Sequence, residues 1–183
     1  MRILIGISGA SGSTVGAAFV RRCPGDKYLV VSPWGWKNLE IEAGLGRADL
    51  EPHVKRIFED DDLAAPPSSG SNAFDATVIV PTSLSTLAKI AAGLADTLIT
   101  RMAQVALKER RKLVLCLRET PLSSIALENA LKLSRDGVMI MPVCPPFYRN
   151  PESVDEMVNG YVDKVLMAIG AGATPGWRSE LLD

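Results

Sequence analysis

Short apolar runs alternate with amphipathic segments along the whole chain, and each run ends in a turn rich in glycine, proline or hydroxyl residues. The runs predict five strands, at residues 2–7, 28–32, 76–81, 113–117 and 138–143. Apolar residues at helical spacing predict helices at residues 13–22, 37–44, 124–134 and 154–169. Residues 84–110 form one further helix, or two helices with a break near residues 93–96.

The predicted strands are continuous apolar runs and do not alternate between apolar and polar residues. Strands of this kind are buried on both faces of a parallel sheet that is connected by helices. The predicted fold class is α/β, a three-layer α/β/α fold with a Rossmann-like (flavodoxin-like) parallel sheet. The polar residues 47–72 predict a long loop with a short helix or strand near residues 54–58. All 183 residues are assigned to one domain, with roughly the last 12 as a C-terminal tail.

Charge and cysteine content narrow the function classes. The chain has 20 Lys and Arg against 21 Asp and Glu, a balance that favours neither nucleic acid nor a membrane surface as the partner. No apolar run reaches the roughly 18 residues of a membrane span. The three cysteines are too widely spaced for a zinc site, and their odd number argues against a secreted disulfide framework. These features predict a cytoplasmic protein without a structural metal.

Polar side chains follow every predicted strand, at the edge where an open α/β sheet binds its ligand. The segments are GISGASGS at residues 6–13, Ser32, PTSLST at residues 81–86, RET at residues 118–120 and PPFY at residues 145–148. GISGASGS is typical of a phosphate site at a helix N-terminus, or of an ordinary tight turn. Ser83 is a candidate helix cap, and Ser85 and Thr86 are candidate anion donors. Together the hydroxyl-rich loops predict a mononucleotide site, which FMN fits.

Charged side chains extend this candidate site. Arg101 and Lys108 are seven residues apart and share one face of a helix. Arg118 and Glu119 directly follow a buried strand, where they form a structural ion pair or serve a ligand. The EDDD run at residues 59–62 lies in a predicted loop and is interpreted as a solvated surface, not a magnesium motif. The only histidine, His53, is predicted at the surface, so a histidine base is not expected.

Nearly the whole chain resembles the UbiX family of flavin prenyltransferases. The segments that carry the resemblance are GISGASG, SSGS, PTSLSTLAKIAAG, DTLITRMAQVALKERRKLVLCLRETPLSSIALENALKLSRDG and PPFYRNPESVDEMV. The block LKERRKLVL…RETPLS is more specific than a general Rossmann pattern. One departure follows Ser32, where PWGWKN stands in place of the usual Lys-Ala.

The resemblance implies a role for each matching position. The FMN-binding set is Gly9, Ala10, Ser11, Ser32, Ser83, Leu84, Ser85, Thr86 and Arg118. The set that binds dimethylallyl phosphate is Tyr148, Lys164, Lys108 and Arg101. Glu119, Glu42 and Ser11 are the implied catalytic residues, with Glu119 as the acid that assists phosphate departure.

The implied reaction joins a dimethylallyl group to reduced FMN without a metal. Prenylated FMN then serves a partner UbiD-type decarboxylase, and the enzyme is implied to be a homododecamer with its site at a subunit interface. Whether the donor is a mono- or a diphosphate stays open.

Two alternative functions share the fold. One is an FMN-dependent cysteine decarboxylase of the phosphopantothenoylcysteine type, which is associated with a histidine that this chain lacks near its first helix. The other is a flavodoxin-like electron carrier, which has no need of Arg118, Glu119, Tyr148 and Lys164.

Overall fold

The computed structural model describes residues 1–172 and Arg178, so the predicted C-terminal tail lies almost wholly outside the described residues. Six strands are present: β1 (Arg2–Ile7), β2 (Asp26–Val31), β3 (Arg56–Glu59), β4 (Ala76–Thr82), β5 (Lys112–Leu117) and β6 (Met139–Ile140). The α-helices are α1 (Ser13–Arg22), α2 (Pro33–Ala43), α3 (Arg47–Leu50), α4 (Leu84–Ala91), α5 (Leu98–Lys108), α6 (Ser124–Arg135) and α7 (Val154–Ile169). Single 3₁₀ turns occur at Glu51–His53, Pro66–Ser68 and Phe147–Arg149.

The six strands form one parallel sheet in the order β3-β2-β1-β4-β5-β6. This is the Rossmann order, in which the chain leaves the central strand first to one side and then to the other. The three-layer α/β prediction is confirmed. Because β1 and β4 are neighbours, the loops that follow them meet at the point where the strand order reverses.

Alternate residues of each central strand face opposite layers of helices. Ile3, Ile5 and Ile7 of β1 pack in one apolar cluster with α1 and α7. Leu4 points to the other face and packs in a second cluster with α4, α5 and α6. Both faces of the sheet are therefore covered, which explains why its strands are continuous apolar runs. None of the helices in residues 1–172 is long and apolar enough to cross a membrane.

The observed bounds differ from the prediction where turn residues interrupt the pattern. Helix α2 begins at Pro33, four residues before the predicted start at Lys37, because Ser32 caps it and proline is favoured in the first turn. The long helical segment is two helices, and Gly93 follows the first of them with a φ of 78°. Strand β3 lies within the polar stretch and overlaps the short helix or strand predicted near residues 54–58.

The last strand is shorter than predicted. Regular pairing covers only Met139–Ile140, where the pattern predicted residues 138–143. Pro142 has no N–H to donate, and it occupies a position whose amide would face the open edge of the sheet, away from β5. Pairing with β5 continues, because the N–H of Met141 donates to Leu115 O at 2.9 Å and that of Val143 donates to Leu117 O at 2.9 Å. The following loop is thereby led along the carboxyl end of β5.

Helix α1 lies so close to β4 that Gly16→Ala should destabilise the protein. A Cβ at this position would lie 2.5 Å from the carbonyl oxygen of Val80 and 3.2 Å from Cδ1 of Ile7. In an open helix the same change stabilises by about 1 kcal/mol, whereas here we expect a loss of about 1–3 kcal/mol in the free energy of unfolding, measured by urea denaturation.

Gly46→Ala is the matched control, since its φ is −119° and the nearest atom to an added Cβ is Asp49 Oδ2 at 3.9 Å. A Gly16→Ala variant at least as stable as the parent would contradict this close packing.

Candidate active site

A cleft of about 440 Å³ opens at the carboxyl edge of the sheet, within the roughly 300–1,000 Å³ typical of small-ligand sites. Its walls come from the loops after β1, β2, β3 and β4 and from the helices that follow them. The lining residues are Gly9, Ser32, Pro33, Trp34, Asp60, Ser83, Ser85, Thr86, Lys89, Thr97, Ile99 and Thr100. Most of these side chains are hydroxyl-bearing or charged, so the cleft suits a polar, anionic ligand.

The buried hydroxyl of Ser8 joins the two central loops. It donates to the carbonyl oxygen of Pro81 at 2.9 Å and accepts from the backbone N–H of Ser83 at 2.8 Å. The backbone N–H of Ser8 also donates to Pro81 O, at 3.2 Å. These bonds hold the end of β1 and the start of α4 at a fixed separation across the switch point.

Two of the predicted ligand-binding serines also cap helices. Ser32 Oγ accepts from Gly35 N at 3.0 Å at the start of α2. Ser83 Oγ accepts from Thr86 N at 3.2 Å at the start of α4, and it lies 3.0 Å from Thr86 Oγ1. A hydroxyl that accepts a capping bond keeps its own hydrogen for donation. Capping and ligand binding are thus compatible at both positions.

Glu42 occupies the N-terminus of α1. Its Oε2 accepts from Gly12 N at 2.9 Å, Ser13 N at 2.8 Å and Ser13 Oγ at 2.7 Å. The segment GISGASGS predicts that these donors bind a ligand phosphate at the start of α1, but the carboxylate of Glu42 binds them instead. The N-terminus of α4, with Ser85 and Thr86 in its first turn, faces the cleft instead.

The environment keeps Glu42 ionised. Partial burial acts to raise the pKa of Glu42, but the hydrogen bonds from Ser13, Ser11 and the backbone of Gly12 outweigh it and hold the pKa below its ordinary value. A carboxylate at the positive end of a helix is also favoured by the helix dipole. Glu42 therefore fixes the conformation of the loop that carries Ser11.

Arg118 and Glu119 follow β5 and point to different partners. Arg118 Nε donates to the carbonyl oxygen of Ser11 at 3.1 Å, and its side chain lies against Gly12. Glu119 is exposed, and its Oε1 accepts from the next residue's N–H, Thr120 N, at 3.0 Å. The ion pairs within the described chain do not include one between Arg118 and Glu119. The structural ion pair considered from the sequence is not formed, and both side chains remain accessible to a ligand.

Tyr148 and Lys164 lie together where the turn after β6 packs against α7. Tyr148 is in the 3₁₀ turn Phe147–Arg149 that follows β6, and 47% of it is exposed. Lys164 extends from α7, with Nζ 5.7 Å from the centroid of the Tyr148 ring. A cation over a phenol ring places an ammonium group and a hydroxyl side by side, which is an arrangement suited to a phosphate.

Comparison with known proteins identifies the family. A family model for flavoproteins matches residues 1–177. The flavin prenyltransferase UbiX of Thermoplasma acidophilum is 47% identical over 173 residues, which are 94% of this chain and 96% of that protein. The chain belongs to the UbiX flavin prenyltransferase family.

Solved structures of UbiX-type proteins share the fold throughout. AnUbiX (PadA1), crystallised in complex with FMN and dimethylallyl pyrophosphate, superposes with a TM-score of 0.90 at 36% identity, over 97% of this chain and 98% of that one. A dodecameric FMN-dependent UbiX-like decarboxylase from Escherichia coli gives a TM-score of 0.93 at 41% identity, with the same coverage.

The UbiX-family residues Arg101 and Lys108 are not brought to the cleft of their own chain. Lys108 ends α5 at the amino edge of the sheet, whereas Arg118 lies beyond the carboxyl end of β5. The six residues of β5 separate the two by roughly 20 Å. Lys108 is paired with its neighbour Glu109, and Arg101 Nε donates to the carbonyl oxygen of Ser68 at 3.0 Å.

The segment PWGWKN, which departs from the usual family pattern, forms one wall of the cleft. Gly35 allows α2 to approach β1, because a Cβ there would lie 2.5 Å from the carbonyl oxygen of Ile7. Trp36 packs partly buried against the core, whereas Trp34 is 72% exposed beside the cleft. A Cβ at Gly9 would lie 2.5 Å from Cβ of Trp34, so the first loop and α2 are in direct backbone contact.

Two charged residues that line the cleft, Asp60 and Lys89, were not among the site residues predicted from the sequence. The run at residues 59–62 was interpreted as a solvated surface, but Asp60 is buried and Oδ1 accepts from Ile99 N at 2.8 Å. Burial raises the pKa of Asp60. Lys89 is in the cleft wall and pairs with Asp96 at 2.6 Å. If residues 56–59 had been predicted as a strand, Asp60 would have followed a strand end and would have been a candidate site residue.

No metal-binding group of three His, Cys, Asp or Glu side chains is found within residues 1–172 and 178. Lys89 lies in the cleft wall, and Arg118 bonds to the loop that carries Ser11.

Glu42→Gln should reduce the stability of the protein at neutral pH and flatten its dependence on acid. Because the folded pKa of Glu42 is depressed, its ionised form stabilises the fold above the unfolded pKa of about 4.3, and that contribution disappears as the pH falls through the folded pKa. We expect a loss of about 1 kcal/mol in the free energy of unfolding near pH 7, the usual value of a helix cap, and a much smaller difference near pH 3.

Urea denaturation at both pH values measures this effect. Glu40→Gln on the same helix is the control, since Glu40 is exposed and its side chain pairs with Lys37 one turn earlier. A difference between parent and Glu42→Gln that persists unchanged in acid would contradict the assigned role.

Proposed function

We propose that this protein transfers a dimethylallyl group to reduced FMN. The observation that carries the proposal is the presence in one chain of a hydroxyl-lined cleft, the Arg118–Glu119 pair of side chains beyond β5 and the Tyr148–Lys164 pair against α7. A carrier that only holds a flavin has no need of the last two pairs. The UbiX-type relative in complex with FMN and dimethylallyl pyrophosphate supports the same assignment.

FMN fits the cleft with its phosphate at α4. Ser32, Ser83, Ser85 and Thr86 would donate hydroxyl hydrogen bonds there, and the backbone at Leu84 would add the N–H groups of a helix N-terminus. The N-terminus of α1 is unsuited to the phosphate because Glu42 already occupies it. Gly9, Ala10 and Ser11 would then border the flavin ring, with Arg118 holding the loop through Ser11 O.

Tyr148 and Lys164 would hold the phosphate of the donor. Reduced FMN, when bound, supplies the nucleophile for the dimethylallyl group. The work of the chain is to stabilise the negative charge that develops on the departing phosphate. Lys164 offers a fixed positive charge and Tyr148 a hydroxyl, so no metal is required for this step. Glu119, exposed and free of an ion pair with Arg118, would deliver the proton to the departing oxygen.

Arg101 and Lys108 would complete the donor site from a neighbouring subunit. Within one protomer Lys108 lies a full strand length from Arg118, too far to share a ligand. The dodecameric assembly of the UbiX-like relative from Escherichia coli supports a homododecamer here. We further propose that the chain acts as one flavoprotein domain in the cytoplasm, where its three free cysteines stay reduced, and that a UbiD-type decarboxylase uses the product.

Neither alternative function gains support from the site. The cysteine decarboxylase alternative is associated with a histidine near the first helix. His53 lies instead in the 3₁₀ turn before β3, at the amino edge of the sheet and opposite the cleft. Prenyl transfer is the function that uses the arrangement of Arg118, Glu119, Tyr148 and Lys164.

Glu119→Gln should retain FMN but slow prenylation about 10²–10⁴-fold, because it removes the acid and spares the phosphate loops. The measurement is anaerobic incubation with reduced FMN and dimethylallyl phosphate in the absence of metal, followed by mass analysis of the extracted flavin. The parent should yield FMN heavier by one five-carbon unit. Glu128→Gln, which alters an exposed carboxylate on α6, is the control. Turnover by Glu119→Gln at the parent rate would remove Glu119 from the mechanism, and unchanged FMN from the parent would overturn the proposed function.

Mixed oligomers test the shared site. Lys108→Ala and Tyr148→Phe should each be nearly inactive alone. Subunits of the two variants, co-assembled in equal amounts, should regain about a quarter of the parent activity, because one site in four would then receive both intact residues. Co-assembly of Lys108→Ala with Arg101→Ala is the control and should restore nothing, since both residues come from the same helix. Equal rescue in both mixtures, or in neither, would argue against a site shared in this way.

A further inference from the structure

One face of α7 holds the turn that carries Tyr148. Gly160, Asp163 and Lys164 follow the i, i+3, i+4 spacing of a single helix face. At Gly160 the turn approaches so closely that a Cβ would lie 2.9 Å from Cγ and 3.2 Å from Cδ of Pro146. Lys164 lies over the Tyr148 ring, so the helix contacts the turn at both ends.

Asp163 joins this turn to the rest of the protein. The residue is buried, and its two carboxylate oxygens have different arginine partners. Oδ2 accepts from Arg149 at 2.5 Å, and Arg149 directly follows Tyr148 in the chain. Oδ1 accepts from Arg22 at 2.6 Å, at the C-terminal end of α1, and Arg22 also donates to the carbonyl oxygen of Asn159 at 2.8 Å. One carboxylate thus links α1, α7 and the turn.

Two arginines compensate the cost of burying the Asp163 carboxylate. Burial acts to raise the pKa of Asp163, but the hydrogen bonds from Arg149 and Arg22 and their positive charge outweigh it and leave the pKa below its ordinary value. Asp163 is therefore an anion at neutral pH. Arg149 interacts with both Asp163 and the side chain of Tyr148, and Lys164 lies over the Tyr148 ring.

We propose that Asp163 is a positioning residue for the prenyl donor, acting through Arg149 to hold Tyr148 beside Lys164. This inference rests on the proposed function, which assigns Tyr148 and Lys164 to the donor phosphate. The turn needs such a restraint because its own side chains are exposed, Phe147 by 67% and Tyr148 by 47%.

Asp163→Asn tests the proposal, since it keeps the side-chain shape and removes the charge that holds Arg149. We expect KM for dimethylallyl phosphate to rise about tenfold, the effect of a small misplacement of a binding group, while the dissociation constant for FMN stays the same. Asp163→Glu, which restores the charge, should recover part of the loss. Asp155→Asn in the exposed first turn of α7 is the matched control and should behave as the parent.

A double-mutant cycle separates positioning from general stability. If Asp163 acts through Arg149, the rise in KM caused by Asp163→Asn should nearly vanish in an Arg149→Gln background. Additive effects of the two changes, or an unaltered KM in Asp163→Asn, would overturn the inference. Should Asp163→Asn not fold, Arg149→Gln alone decides, because a normal KM there would equally overturn it. A parent enzyme that does not prenylate FMN would instead refute the proposed function.

Discussion

The carboxylate of Glu42 at the N-terminus of α1 is the interaction on which the layout of the site depends. In most Rossmann-like folds the helix after the first strand offers its N–H groups to a ligand phosphate. Here three donors of that turn are bound by Glu42 before any ligand arrives. The first loop is therefore held by these bonds and carries a negative charge, which is why we propose the start of α4, across the switch point, for an anionic group.

The second organising constraint is that the two edges of a parallel sheet cannot reach each other within one molecule. The loops at the carboxyl edge hold the cleft, Arg118 and Glu119. Lys108 belongs to the amino edge because α5 runs antiparallel to the strands and ends there. A reaction that needs side chains from both edges must use more than one copy of the chain. Catalysis in this fold would then depend on assembly of the oligomer.

Helices and strands could be predicted correctly where the hydrophobic pattern and the capping or turn residues indicate the same bounds. Strand β1 and helix α7 have the predicted bounds, since the first is a pure apolar run before glycine and the second lies between the Ser153 cap and Gly170. Strand β3 was indistinct because it is a four-residue edge strand with charged residues at both ends. The candidate site residues that follow the strands could be located from the positions of the predicted strands alone. The cap formed by Glu42 could not, because its partner Ser13 is 29 residues away in sequence.

The backbone contact between Gly9 and Trp34 ties the choice of residue at one position to the other. Any residue with a Cβ at position 9 would meet the Cβ that every residue except glycine carries at position 34. Substitutions that enlarge the indole side chain or shrink it are free of this restriction, because they leave the Cβ in place. The cleft wall can consequently vary through the size of residue 34, whereas residue 9 must remain glycine. A library of variants designed to change ligand specificity should therefore target position 34.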